Sequence, residues 1–213
     1  MSQIGLPLKL AENYSLDAYY PGPNHELLDV LVAGTVKGMA APLYIWGNHG
    51  LGKSHLLQGV ARKTMEQGSL AAYIPMTDPG IHPELLRQLQ PRATLCLDDI
   101  HHISGNRAFE EALLDLYERS LSQGGQMIFS SQFSPAASNL ALRDLVSRLS
   151  AGLVYRLVEL DDQSKADAIK WRAHRRGLSI SDQSAAYLLR RVSRDPGRLF
   201  ELLERIDQAS LEQ

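Results

Sequence analysis

The chain has 213 residues, 44% hydrophobic and 22% charged, which is enough to bury the core of one large domain or of a core domain with a small appendage. The formal charge of −2 gives no general attraction to nucleic acid, so we expect any contact with DNA to be indirect or weak. A single cysteine excludes an intrachain disulfide. The sequence shows neither a signal-peptide pattern nor an apolar run of membrane-spanning length, so we expect a cytoplasmic protein without membrane contact.

Apolar strands alternate with helical patterns through the first three quarters of the chain. Residues 1–23 carry three prolines and predict an irregular tail and loop. The predicted strands are Leu43–Trp46, Leu70–Pro75, Ala93–Leu97, Gln126–Ser130 and Leu153–Leu157. The predicted helices are Asn24–Met39, Lys53–Glu66, Pro83–Leu89, Arg107–Leu121 and Leu142–Leu149. This alternation predicts an α/β fold, a five-stranded parallel sheet with helices on both faces.

No strand pattern follows Asp161. Helices are predicted at Asp162–Arg176, Ser181–Val192 and Pro196–Leu211, the last opened by Asp195 as its N-cap. We therefore expect a tail over 1–18, an α/β core over 19–160 and a small all-helical domain over 161–213.

A phosphate-binding motif lies between the first predicted strand and the following helix. The segment Gly47-Asn48-His49-Gly50-Leu51-Gly52-Lys53-Ser54 fits G-x-x-x-x-G-K-[ST], the P-loop. Glycines let the backbone curl so that several N–H groups face a phosphate, and the start of the helix favours an anion. We expect Lys53 to reach the β- and γ-phosphates of a nucleotide and Ser54 to bind Mg²⁺. A chance glycine-rich turn is the alternative, and the correct flanking elements make it the weaker one.

Two carboxylates, Asp98 and Asp99, end the third predicted strand. In a parallel sheet this strand end lies beside the P-loop, so Asp98 is the predicted partner of Mg²⁺. Asp99 is the predicted group that orients or activates the attacking water. A turn with an N-cap is the alternative reading of the same dipeptide.

Two of these motifs resemble the bacterial initiator DnaA and its relatives. Gly50-Leu51-Gly52-Lys53-Ser54-His55-Leu56 resembles the G-x-G-K-[TS]-H-L form of their P-loop, and Leu97-Asp98-Asp99-Ile100 resembles their acidic strand end. The resemblance runs from about Tyr19 to Ile206. It implies an AAA+ core with a helical lid, bound ADP or ATP with Mg²⁺, and His55 as a further residue of the nucleotide site. The initiator's N-terminal domains and its C-terminal DNA-binding domain have no counterpart here, so the chain resembles the stand-alone regulatory relatives that inactivate DnaA, which would be its partner.

Three more positions take their expected roles from this resemblance. Ser131 lies at the place called sensor 1, Arg148 in Ser147-Arg148-Leu149 at that of the arginine finger, and Arg198 at that of sensor 2 on the lid. Arg198 also falls in the first turn of a predicted helix, where the macrodipole disfavours a cation, which hints at a phosphate partner. Solvated surface arginines are the alternative reading of Arg148 and Arg198.

The tail resembles the peptide by which bacterial replication proteins bind the sliding clamp, the β subunit of DNA polymerase III. Gln3-Ile4-Gly5-Leu6-Pro7-Leu8 fits Q-x-x-L-P-L. Pro7 restrains the peptide and lowers the entropy cost of docking, Leu6 and Leu8 can fill apolar pockets, and the Gln3 amide can hydrogen-bond. A disordered tail is the alternative.

The resemblance therefore implies a negative regulator of replication initiation that docks on the DNA-loaded clamp and stimulates hydrolysis of DnaA-bound ATP through Arg148. We expect weak intrinsic ATPase, because Asp99 is one methylene shorter than the usual AAA+ glutamate. A homo-oligomer is compatible with the sequence. Two alternatives stay open: a DnaA-like or helicase-loader module that binds DNA with ATP, and an autonomous ATPase.

Overall fold

Short apolar strands form one parallel sheet at the centre of the fold. The structure, a computed structural model, describes residues 14–39, 41–175 and 177–191. Within these residues the strands are β1 (Leu43–Trp46), β2 (Ala71–Pro75), β3 (Thr94–Asp98), β4 (Gln126–Ser131) and β5 (Leu153–Arg156). Their order is β2-β3-β4-β1-β5, and all pairings are parallel. The predicted α/β class and five-stranded parallel sheet are confirmed.

Helices cover both faces of this sheet. The helices of the core are α1 (His25–Lys37), α2 (Lys53–Glu66), α3 (Pro83–Gln88), α4 (Arg107–Ser122) and α5 (Arg143–Ala151). Because side chains alternate along a strand, Leu43 and Ile45 of β1 pack with α1 and α2, whereas Tyr44 and Trp46 pack on the opposite face with α3, α4 and α5. The loops that follow the strands all open at the carboxyl edge of the sheet, where parallel α/β folds bind ligands.

Most predicted boundaries agree with the structure within two residues. Strand β3 continues one residue beyond the prediction, because the carbonyl of Asp98 still accepts from the Met76 N–H at 2.9 Å. Four short 3-10 turns also occur in the described part of the chain. They are Leu16–Ala18, Gly22–Asn24, Ile100–Ile103 and Pro135–Ala137.

The helical region contains α6 (Asp162–Arg175) and α7 (Asp182–Arg191), which pack through buried Ile169 and Ala185. At the end of the core, the Asn24 side chain donates to the Val158 carbonyl at 2.9 Å and accepts from its N–H at 2.8 Å. The predicted helix Pro196–Leu211 lies outside the described residues. No helix in the described part of the chain has both the length and the apolar character to cross a bilayer.

Candidate nucleotide-binding site

The P-loop of residues 47–52 joins β1 to α2 at the carboxyl edge of the sheet. Gly50 and Gly52 have φ values of 81° and 87°, the left-handed region that glycine adopts at least cost. A Cβ added to Gly52 would lie 2.8 Å from Cε2 of Tyr19, so both backbone geometry and space require glycine there. The Tyr19 hydroxyl donates to the Leu51 carbonyl at 3.3 Å and so connects the segment before α1 to the P-loop.

Lys53 is buried at the start of α2. Its ammonium donates to the carbonyls of Gly47 and Asn48, both at 2.9 Å, so the side chain lies along the inside of the loop. Burial lowers the pKa of Lys53, while the charges of Asp99 and Asp98 act to raise it. An ammonium has three N–H donors, so one remains for a phosphate oxygen. Asn48 and His49 are exposed on the outer turn of the loop.

Asp98 is 3% exposed, and both of its oxygens accept hydrogen bonds. Oδ2 accepts from the Tyr73 hydroxyl at 2.6 Å, and Oδ1 accepts from the Ser130 hydroxyl. The Tyr73 hydroxyl also contacts the side chains of Ser54 and Gln58, which links the carboxylate to the first turn of α2. Burial, followed by the charge of Asp98, raises the pKa of Tyr73, so Tyr73 is a proton donor here.

The side chains around Asp98 offer oxygen atoms, the ligands that Mg²⁺ prefers. Ser54 and Asp98 are joined through one hydroxyl, and Asp99 follows directly in the chain. No group of three His, Cys, Asp or Glu suited to a metal occurs among the residues described. This donor set fits a cation held partly by phosphate oxygens, which is how Mg²⁺ is usually bound in nucleotide sites.

Asp99 adopts the left-handed conformation, with φ 54° and ψ 47°. Its backbone N–H donates to Oγ of Ser130 at 2.8 Å, so a single hydroxyl holds the carboxylate of Asp98 and the main chain of Asp99. Burial raises the pKa of Asp99, and the neighbouring charge of Asp98 raises it further. Nδ1 of His101 lies 3.8 Å from Oδ1 of Asp99, beyond hydrogen-bond range. A carboxyl group with a raised pKa beside a phosphate site is suited to accept a proton from water.

Ser131 is also fully buried but lies on the other face of the sheet. Its Oγ accepts from the Phe133 N–H at 3.1 Å, where it fixes the turn after β4. The hydroxyl beside Asp98 therefore belongs to Ser130, which sequence reasoning missed together with Tyr73. The strand order places β4 beside β3, and side-chain alternation then selects Ser130. Both facts come from the sheet topology, which the local sequence does not contain.

His55 lies behind the P-loop, with its side chain packed into the protein. Its Nε2 is 2.8 Å from the Ser15 carbonyl and must donate to it, so Nδ1 is free to accept from Nη2 of Arg172 on α6 at 3.5 Å. The ring of Tyr14 stacks on it with centroids 4.8 Å apart. Burial, together with the charge of Arg172, lowers the pKa of His55 to about 4. The imidazole is neutral and supports the loop, while the backbone N–H in the first turn of α2 remains able to face a phosphate.

Arg148 lies on α5, and its side chain is 40% exposed. Its Nη2 forms an ion pair of 2.7 Å with Oε1 of Glu118 on α4, and not with a residue of the P-loop. The structure thus brings together the P-loop, Lys53, Ser54, Asp98 and Asp99, and keeps Arg148 at a separate surface. Arg198 and the clamp-motif residues Gln3, Leu6, Pro7 and Leu8 lie outside the described residues.

The fold is shared with solved structures of DnaA. Domain III of DnaA from Thermotoga maritima matches with a TM-score of 0.75 at 22% identity, over 90% of this chain and 86% of that one. AMPPCP-bound DnaA from Aquifex aeolicus gives 0.76 at 21% identity, over 92% and 65%. A replication initiator DnaA bound to AMPPCP and single-stranded DNA gives 0.74 at 22% identity, over 94% and 70%. At such identities these matches establish the fold.

Two protein-family models match parts of the sequence. The model described as the bacterial DnaA ATPase domain matches residues 10–78, which contain α1, β1, the P-loop, α2 and β2. The model described as the lid domain of Hda matches residues 162–213. With a DnaA-type ATPase match followed by an Hda-type lid match, the chain is an Hda-like, DnaA-homologous AAA+ protein.

Proposed function

We propose that the P-loop of this chain binds ADP or ATP with Mg²⁺. Lys53 supplies a charged N–H to the β- and γ-phosphates, and the loop amides receive the remaining oxygens. Ser54 and Asp98 hold Mg²⁺, which offsets negative charge on the phosphate oxygens when bound. The observation that carries this proposal is the position of Lys53, held along the inside of the loop by the Gly47 and Asn48 carbonyls.

Calorimetry with ADP or ATP, with and without Mg²⁺, tests this site. We expect saturable binding that is lost in Lys53→Ala and kept in Lys63→Ala, the same change near the other end of α2. Absence of saturation in the wild-type protein, or full affinity in Lys53→Ala, would remove the nucleotide from the proposal.

The second step of the proposed function acts on another protein. Arg148 inserts into the ATP site of DnaA and stabilises charge on the transferred phosphoryl group, an effect worth about 10³-fold or more in rate. The Arg148 side chain is half-exposed and pairs with Glu118 on α4, not with the chain's own P-loop. Both features support action in trans. Hydrolysis at the chain's own site is slow, with Asp99 orienting water while Ser130 holds the Asp98 carboxylate and the Asp99 backbone N–H.

Docking on the DNA-loaded sliding clamp completes the proposal and rests on the tail sequence. The motif Gln3-Ile4-Gly5-Leu6-Pro7-Leu8 would bring the chain to DNA where DnaA is found. This raises the local concentration of Arg148 near DnaA, as linked binding sites do.

Single-turnover hydrolysis of DnaA-bound ATP, with clamp loaded on DNA, tests the second step. We expect stimulation by the wild-type chain, loss in Arg148→Ala, and retention in Arg143→Ala, the same change at the exposed start of α5. The tail variant Gln3→Ala/Leu6→Ala should lose the part of the stimulation that depends on the DNA-loaded clamp. An undiminished rate with Arg148→Ala would remove the arginine finger from the proposal.

DNA binding with ATP is the second candidate, favoured by the likeness to a DnaA structure that contains single-stranded DNA. Tight binding of a single-stranded oligonucleotide without clamp, weakening steeply with salt, would support it over the first.

A further inference from the structure

Helix α4 holds helix α5 near both ends of α5. Glu110, in the first turn of α4, is fully buried. Its Oε1 accepts from the Gly105 N–H at 2.8 Å and from the Ala141 N–H at 3.1 Å, while Oε2 accepts from the Leu142 N–H at 2.8 Å. One carboxylate thus joins the loop before α4 to the loop that leads into α5.

These bonds anchor the two residues that lead into α5, a helix without a side-chain cap of its own. Leu142 is the N-cap residue of α5 and has no side-chain oxygen for the free N–H groups. A buried carboxylate is costly unless its oxygens are bonded, and three backbone donors supply strong charge-assisted bonds. The start of α5 is therefore fixed by Glu110 and not by its local sequence.

The other end of α5 is held by the same face of α4. Tyr117 lies seven residues after Glu110, about two helical turns, and its hydroxyl donates to the Arg148 carbonyl at 3.2 Å. Glu118 follows and pairs with the Arg148 guanidinium at 2.7 Å. A pair this exposed adds little stability, but it limits the directions the side chain takes. An arginine has five N–H donors, so the pair leaves others for a ligand.

We infer that Glu110 is a positioning residue for Arg148, because its carboxylate fixes the two residues that lead into the helix whose later turn Tyr117 and Glu118 hold. The inference rests on the proposed function of Arg148. A finger inserted from one protein into the site of another must arrive with its guanidinium in place, and a displacement of about 1 Å costs on the order of 10²-fold in rate. Glu110 acts on that rate only through the placement of α5.

The test compares Glu110→Gln with Glu111→Gln in stimulated hydrolysis of DnaA-bound ATP, with DNA-loaded clamp. In Glu110→Gln an amide NH₂ group opposes a backbone N–H donor, with little change of shape. Glu111→Gln makes the same change at the next residue, which is on the surface and pairs with Arg107. We expect the maximal rate to fall about tenfold or more in Glu110→Gln. Glu111→Gln should keep the wild-type rate.

Three further measurements separate positioning from general damage. The chain's own affinity for ADP should be the same in Glu110→Gln and wild type, and the loss should disappear when Arg148→Ala is already present. Tyr117→Phe, which removes only the hydroxyl bonded to the Arg148 carbonyl, should reduce the maximal rate in the same way. This variant carries the test if Glu110→Gln does not fold.

The outcomes are distinct. Wild-type rates in Glu110→Gln and Tyr117→Phe, with Arg148→Ala inactive, would overturn the inference and leave the proposed function standing. A loss of both ADP affinity and rate in both variants would also overturn it, because the substitutions would then disturb the whole fold and not only the position of Arg148. Full activity of Arg148→Ala would overturn the proposed function and the inference together.

Discussion

The hydroxyl of Tyr73 donates a 2.6 Å hydrogen bond to Oδ2 of Asp98, and this bond joins β2 to the acidic end of β3. The same hydroxyl contacts Ser54, so it connects the two side chains proposed to hold Mg²⁺. Groups that orient a metal ligand commonly change metal affinity 10- to 100-fold when removed.

We therefore expect Tyr73→Phe to weaken binding of ADP in the presence of Mg²⁺ by about 10-fold. In EDTA the variant and the wild type should bind ADP alike, because the lost hydroxyl serves the cation site. Calorimetry in the two buffers measures both affinities. Tyr155→Phe, which removes the hydroxyl of the partly buried tyrosine of β5, is the control. An equal loss with and without Mg²⁺ would show that Tyr73 supports the loop itself.

Gly52 and Gly68 flank α2 and share a left-handed backbone, with φ values of 87° and 78°. A Cβ at Gly68 has no neighbour within 4 Å, whereas one at Gly52 would lie 2.8 Å from Cε2 of Tyr19. Alanine at either position incurs backbone strain of about 1–2 kcal/mol. Only Gly52→Ala must also displace Tyr19 or the P-loop.

The expected result is a loss of ADP binding in Gly52→Ala and wild-type affinity in Gly68→Ala, with some loss of thermal stability in both variants. Calorimetry and thermal unfolding of the two variants give both values. Retained affinity in Gly52→Ala would mean that Tyr19 moves aside without disturbing the loop.

Asp99→Asn tests the water-orienting role. Burial raises the pKa of Asp99, so the deprotonated base forms only as pH rises through that raised value. The chain's own slow ATP hydrolysis should increase with pH over that range and fall about 10²-fold in the variant, with ADP affinity kept. Asp29→Asn on exposed α1 is the control. An unchanged hydrolysis rate in Asp99→Asn would mean that another group orients the attacking water.

Local patterns in the sequence were sufficient for the sheet, the P-loop and the pair Asp98-Asp99. Lys53 and Ser54 begin α2 as the motif requires, because the glycines before them and the apolar strand are encoded within a few residues. Ser130, Tyr73 and Glu110 could not be found this way. Each acts on a residue of another strand or loop, and that neighbour is fixed only by the strand order and the packing of α4.

His55 gives the chain a pH-dependent stability that its surroundings explain. Its pKa is lowered from an ordinary 6.5 to about 4, chiefly by burial, with the Arg172 charge adding to the effect. The hydrogen bond to the Ser15 carbonyl opposes this shift only in part. Between pH 6.5 and 4 the unfolded chain therefore binds more protons at this residue than the folded one, so the stabilising contribution is complete above pH 6.5 and is lost as the pH falls toward 4.

The size of this contribution follows from the shift, which corresponds to a loss of about 3 kcal/mol between those limits. In His55→Gln the stability difference from wild type should shrink by about that amount as pH falls, because carboxyl groups that titrate in both proteins cancel. Denaturant unfolding at several pH values measures it, with His174→Gln on the exposed side of α6 as the control. A constant difference between wild type and His55→Gln from pH 7 to pH 4 would mean that the imidazole takes up its proton within the folded protein. In that case the contact between Nδ1 of His55 and the Arg172 guanidinium would have to open, because a protonated imidazole has no acceptor for it.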